Sequence, residues 1–583
     1  MPAAFAAGGA FLVYFLGYRF YSGWLARRIF RLSQSAVTPA YALRDGVDFL
    51  PTRPQVLFGH HYASIAGLAP MLGPAVAVFW GWLPALLWVV FGAIFIGCVH
   101  DFAALVLSIR HRGESIGSLC ESILGARAKA LFLGLIFFGI SLAMGVFVFV
   151  ISKLFTWGDD FDPSRLDLAT TSFPESVLPS AGLMVVAMIA GWLLHRKRFR
   201  LFPVAVVSYL ALLLLVGAGY CFPVLGVSGP ESWPATQTWV WILLGYAWLA
   251  SVLPVWFLLQ ARDFLNALLL GTGLLLMYSG FFLSNPTFDA PAFNPNPVGA
   301  PPLLPFVFIT VACGAVSGFH ALVSSGTTAR QLAKETHARP VGYGGMLAES
   351  LLALLAVLAC TCTLGGKEAW AKVYLNWASV QGLDQKLGVF IRGSASFVQE
   401  LGIPGELAVT LVAMVVVSFA LTTLDSATRL LRFNLEEIGR ACANFPCGRI
   451  FRVVLANRFL AAAVACSAIA FFAFYEVDGR PAGLALWQLF GGTNQLIAGL
   501  TLLTAAVWLK QSGRPSWPLF LPGCGILVLT LVALGWKMRA FWEQSEVLLL
   551  VLAGALVFIG LGVGGAGLSA FFGRYDKSRF PAG

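Results

Sequence analysis

The sequence predicts an all-α polytopic membrane protein with about fifteen transmembrane helices and a core built as a five-plus-five inverted repeat. Three observations carry that expectation. Of its 583 residues, 58% are hydrophobic and 11% charged, whereas soluble domains carry roughly 25% charged residues. The apolar residues fall into runs of about the ~20 residues that cross a bilayer. Two of these runs contain helix breakers and lie five spans apart, so they point in opposite directions, as the leading helices of inverted repeats do. The same composition excludes a large soluble enzyme domain, a disordered chain and a nucleic-acid binder.

In chain order the runs lie near residues 5–26, 62–80, 82–108, 130–152, 179–194, 203–225, 239–259, 264–284, 304–326, 343–365, 406–426, 458–475, 484–509, 516–536 and 547–572. The first has no basic stretch before Phe5, so it reads as a retained span rather than a cleaved signal peptide. The second carries Gly67, Pro70, Gly73 and Pro74 close together. Proline removes a helix hydrogen bond and glycine weakens the helix, so the backbone is expected to open at mid-membrane depth. Open backbone is tolerated there only if it is buried in protein or lines a wet cavity. The seventh run has a milder break at Ser251 to Pro254. Half-helix N-termini attract carboxylates, which makes Gly67, Pro70, Gly73, Ser251 and Pro254 candidate substrate-binding positions. The ninth run is dense in small polar residues, and Ser317, His320 and Ser324 share one helix face; Ser317 joins the substrate candidates. The expected core is LeuT-like and divides the chain into an N-terminal helix and linker (1–61), two repeat halves (62–226 and 239–428) and peripheral C-terminal helices (456–583).

Charge orients these spans, because Lys and Arg collect in cytoplasmic loops. Loops after odd-numbered runs, counted with Arg458 at the head of the twelfth run, hold 28 of the 38 basic residues, so the N-terminus is expected outside and the C-terminus in the cytoplasm. Asp101, Glu349 and Asp425 are the carboxylates left inside runs. An ionisable group in hydrocarbon costs ~2.5–3.5 kcal/mol even on a mild scale, so each must face protein or water. The directions of their spans put them at similar depth to His320. With His100, Ser324 and Ser325 they form the expected ion- or proton-coupling group. For Asp425 the alternative is a local ion pair with Arg429, four residues on. The ten cysteines lack the spacing of a zinc site or disulfide framework, so neither a metal nor a cofactor is expected. His60 and His61 point to different helix faces and are assigned a cap or gate contact. Asn494 and Gln495 are assigned a scaffold hydrogen bond outside the ten core helices.

Phe58-Gly-His60-His61, Ser64-Ile-Ala-Gly67, Gly73-Pro74 and His100-Asp101-Phe102 open a series of ordered motifs. Ser317-Gly-Phe-His320, Ser324-Ser325-Gly326-Thr327, Glu349-Ser350, Thr422-Thr423-Leu-Asp425 and Phe490-Gly-Gly-Thr-Asn494-Gln495 continue it. Together they resemble the carbon starvation protein A family, from about Thr38 to Thr504. The resemblance implies a bacterial inner-membrane secondary transporter, not an enzyme. It further implies import of a small carboxylate such as pyruvate by proton symport, with a short peptide as the alternative substrate and Na+ as the alternative coupling ion. The family often has Gln at the position of His100, so the resemblance gives His100 no proton role. A channel would need a pore built by subunit symmetry, and no H-E-x-x-H or G-x-S-x-G context accompanies the buried carboxylates.

Overall fold

The computed structural model describes residues 2–158, 172–225, 227, 230–380, 382–442, 448–477 and 480–573. Every expected run coincides with helix. Among the described residues, eleven helices are long and apolar enough to cross a membrane, or twelve when the bent pair Pro54–Ile65 and Ala69–Trp80 counts as one span. Two of the other runs are the seventeen-residue helices Thr236–Val252 and Arg458–Phe474. The last is split into Leu303–Thr310 and Gly318–Val323. Fifteen full-length spans are therefore not reached, because two runs are short and one is broken. The basic residues after 573, which entered the charge argument, lie outside the described residues.

One buried helix has no apolar run to announce it. Leu383–Gln399 carries Lys386 and Arg392, so its hydropathy is low, yet Leu387, Phe390 and Ile391 are buried along one face. It packs on Leu259–Ser284, Gly344–Cys362 and Gly405–Ala441.

The helix contacts occur in matching sets. Ala126–Phe155 and Gly405–Ala441 pack together at the centre, and each also contacts both Thr236–Val252 and Arg458–Phe474. Leu259–Ser284 lies against Gly405–Ala441 and the amphipathic Leu383–Gln399. Ala482–Gln511 lies in the same way against Ala126–Phe155 and the amphipathic Ile116–Leu124. We therefore assign the two halves as residues 54–155 with 236–284, and residues 303–511. The helix pair Val177–His195 and Leu201–Cys221, which pack on each other, is inserted into the first half. This division replaces the expected one. The second span is matched by the ninth rather than the seventh, and the run at 484–509 belongs to the core. An odd spacing is kept, so opposite orientation is kept, which is why spacing alone could not choose between the two pairings.

The two breaks are held side by side. The Pro54–Ile65 helix stops where Ala66 adopts φ −78° and ψ 70°, and the chain resumes as helix at Ala69 after a bend of 48°. The second break occupies residues 311–317. Within it Gly314 has φ +85°, and a Cβ there would lie 2.5 Å from the Ala353 Cβ, so only glycine fits. At Gly73 a Cβ would lie 2.5 Å from the Thr310 carbonyl oxygen, where the other broken helix ends. Overpacking of such a contact costs about 1–3 kcal/mol. Gly73→Val is expected to lower the melting temperature in detergent accordingly; an unchanged melt would contradict the close apposition of the breaks.

Candidate functional site

A cavity lies where the breaks meet. Gly67 and Pro70 line it from the first break, Cys313 from the second, and Phe147, Thr423 and Asn494 from the surrounding helices. Its wall is mostly apolar and carries no charged side chain among the described residues. Of the predicted substrate positions, Gly67 and Pro70 reach this cavity. Gly73 acts in helix packing instead. Ser317 lies one layer behind the wall, where its hydroxyl accepts from Asn494 Nδ2 at 3.1 Å. Asn494 Oδ1 also accepts the Phe319 backbone N–H at 2.9 Å. This side chain therefore caps the helix that carries His320, a use of the free N–H groups at a helix start. Scaffold bonding, as expected, is the role of Gln495, which bonds the Phe308 carbonyl and the Thr530 hydroxyl. Asn494 does more, because it also lines the cavity.

Ser251 and Pro254 do not reach the cavity. The Ser251 hydroxyl donates to Trp248 of its own helix. The carbonyls freed at this bend are taken by Arg429, which donates to Ala250 and Leu253. A guanidinium thus fills the hydrogen-bonding capacity that was expected to serve a substrate. Because it is used there and on Asp48 at 3.1 Å, the expected i,i+4 pair between Asp425 and Arg429 does not form.

Behind Cys313 lies a fully buried ionisable group. Asp101 sits on Cys98–Arg110, His320 on Gly318–Val323, and Glu349 on Gly344–Cys362. Asp101 Oδ1 is 2.8 Å from His100 Nδ1 and its Oδ2 is 2.9 Å from His320 Nδ1. A carboxylate only accepts, so both Nδ1 atoms carry protons. The opposite edge of His320, Nε2, then lies 3.1 Å from Glu349 Oε2. The contact is short but misaligned, and Nε2 and both Glu349 oxygens lack a hydrogen bond. With neutral His320 and ionised Glu349, two acceptors would face each other. A proton on either group removes that conflict. The Cys313 thiol completes a trio whose candidate ligand atoms lie within 4.8 Å of one another, and a chelator arm is therefore included in the test below.

The predicted coupling group is thus brought together in part. His100, Asp101, His320 and Glu349 meet. Asp425 joins a second group instead, paired with Arg262 and accepting from Tyr246 Oη at 2.5 Å. Beside it, Asp263 pairs with His60. His61 turns to Thr328 Oγ1 at 2.9 Å, so the adjacent histidines do have different partners. Ser325 is saturated: it accepts from Ile116 N at 3.0 Å and donates to Ala321 O at 2.7 Å. The Ser324 hydroxyl is buried and has no hydrogen bond. Arg262 and Asp263 were missed because they stand at a run boundary and were counted as loop charges. The polar string Gln260-Ala-Arg262-Asp263 directly after a break was the available signal.

Broken spans around a central cavity, backed by buried ionisable side chains, are the architecture of a polytopic membrane transporter. The chain belongs to the carbon starvation protein CstA family, whose profile matches residues 3–376 and 375–533. It is 33% identical to a peptide transporter CstA of Helicobacter pylori strain J99, over 89% of this chain and 79% of that one. It is 30% identical to the pyruvate/proton symporter BtsT of Escherichia coli K12, over 92% and 81% respectively. Among solved structures, it aligns with a nucleobase-cation-symport-1 family transporter at 12% identity and a TM-score of 0.35, over 92% of this chain and 97% of that one.

Proposed function

We propose that this protein is a bacterial inner-membrane secondary transporter that imports a small carboxylate such as pyruvate by proton symport, with its N-terminus outside and its C-terminus in the cytoplasm. The observation that carries this reading is the placement of the His320–Glu349 pair directly behind Cys313, a wall residue of the central cavity. A substrate carboxylate held at the break adds negative charge near that pair, which favours its protonated state; the bound proton in turn favours the anion. Reciprocal dependence of this kind is what symport requires. The N-terminus of the helix resuming at Ala69 supplies the anion site in place of a cationic side chain. A short peptide is the second reading, favoured by the relatives named as peptide transporters. No catalytic role and no cofactor is proposed.

The test is uptake into proteoliposomes under an imposed proton gradient and then an imposed sodium gradient, with pyruvate, other monocarboxylates and dipeptides, each with and without a chelator. Proton-driven accumulation that is indifferent to chelator is expected. Asp101→Asn and His320→Ala are each expected to reduce it at least tenfold; if both leave it unchanged, the group carries no proton. Accumulation driven by sodium alone would contradict proton coupling.

A further inference from the structure

A second cavity of about 320 Å³ adjoins the first; Ile140 and Leu322 line both. It lies between Ala126–Phe155, the residues just after Gly318–Val323, and the C-terminal half of Gly405–Ala441. Its wall is apolar except at one end, where Ser115, Ser325, Asn434 and Glu437 meet. Glu437 and Asn434 are 7% and 5% exposed, so neither relies on bulk water.

Each presents an unused acceptor. Glu437 Oε1 accepts from Ser115 Oγ at 2.5 Å, while its Oε2 has no hydrogen-bond partner. Asn434 Nδ2 donates to the Leu133 carbonyl at 3.3 Å. That bond fixes the amide orientation, because a carbonyl can only accept, and it leaves Oδ1 without a partner. Ser325 Oγ is already saturated. Arg330 lies close enough for its charge to act on Glu437, but it stacks on the Phe433 ring and donates to the Gly113 carbonyl, and it supplies no hydrogen bond to Glu437 Oε2. Gly117 keeps the corner open: a Cβ there would come within 3.2 Å of Glu437 Oε2 and 2.7 Å of Leu133 Cδ2.

We propose that this inner cavity is a binding site for a primary ammonium group, the amino end of an amino-acid-like or peptide substrate passing from the central cavity to the cytoplasm. This rests on the transport reading above and extends it to a substrate class. Two unpartnered oxygens, one of them a carboxylate, ask for a donor bearing positive charge. A bare cation would call for a close shell of several oxygens, whereas this space is walled by Leu133, Ile136, Leu430 and Phe433, apolar side chains that offer no further oxygen to a metal ion and suit the carbon chain of an organic ammonium. Pyruvate has no amine and would pass this point without using it.

The probe is modification of L430C, a lining position, by a small methanethiosulfonate reagent in purified protein, read by mass spectrometry at that residue. n-Butylammonium and dialanine are expected to slow modification at least fivefold at neutral pH, and butyrate is expected to leave it unchanged. Adding Glu437→Gln to L430C is expected to abolish the protection. Equal protection by butyrate, protection by NaCl at matched ionic strength, or no protection by any compound would each overturn the proposal, the NaCl result pointing to a metal cation instead. Because this measures occupancy, it stands apart from transport: failure of dialanine uptake with protection intact would overturn the peptide reading and leave the ammonium site.

Discussion

Asp425→Ala is expected to destabilise the protein by about 3–5 kcal/mol, the usual consequence of removing one member of a buried ion pair. Arg262 and Asp425 are each 1% exposed. The Asp425 carboxylate is the acidic partner of Arg262, and the guanidinium Nε and Nη2 have no hydrogen bond to fall back on. Without Asp425, Arg262 keeps the neutral Tyr246 hydroxyl and only the more distant influence of Asp263, whose carboxylate is engaged by His60. The penalty is therefore mainly that of a poorly compensated buried cation. Replacing both members by apolar residues removes the charge as well as the pair, so the double variant Arg262→Met with Asp425→Leu is expected to recover most of the loss. Melting in detergent checks both. A double variant as unstable as Asp425→Ala would mean that the packing of these side chains, rather than their charge balance, holds the helices together.

Glu349→Gln is expected to reduce proton-driven accumulation at least tenfold while leaving substrate exchange across the membrane in place. The side-chain amide is close in shape to a protonated carboxyl, and it offers an N–H to His320 Nε2 without being able to lose a proton. The site is then fixed in its proton-loaded form. Exchange needs only that form, whereas net accumulation needs the proton to leave on the inner side. Counterflow against an unlabelled substrate separates the two. Loss of both activities together would indicate a structural role for Glu349, and preservation of both would remove it from coupling.

The membrane class, the positions of the helices and the break at Gly67 to Pro70 were legible because each depends on local sequence: apolar run length, and proline and glycine within it. Asp101, His320 and Glu349 were legible for a different reason. A charge inside an apolar run has to be explained, and the directions of the spans put all three at one depth. What was hidden depended on residues at run boundaries or on contacts between distant helices. Arg262 and Asp263 looked like loop charges because they stand between two runs, and Glu437 because the Gly405–Ala441 helix continues well past the end of its apolar run. The Leu383–Gln399 helix escaped notice because Lys386 and Arg392 lower its hydropathy while their chains lie buried. The pairing of the broken spans was misread because Ser251 and Pro254 imitate a substrate-site break, and the chain position of Arg429 gives no sign that it occupies their carbonyls. Asn494 was read as scaffold since the boundary of the core had been drawn before its helix.

In the proposed mechanism the His320–Glu349 pair binds a proton in step with occupancy of the cavity beside Cys313. Substrate binding to purified protein in weakly buffered detergent, followed with a pH indicator, measures this directly through linkage between ligand and proton. For the wild type, proton uptake from solution is expected on addition of the transported substrate, saturating with the same concentration dependence as binding. For Glu349→Gln, binding is expected without proton uptake. Equal proton uptake by both proteins would contradict the account and place the coupling site elsewhere.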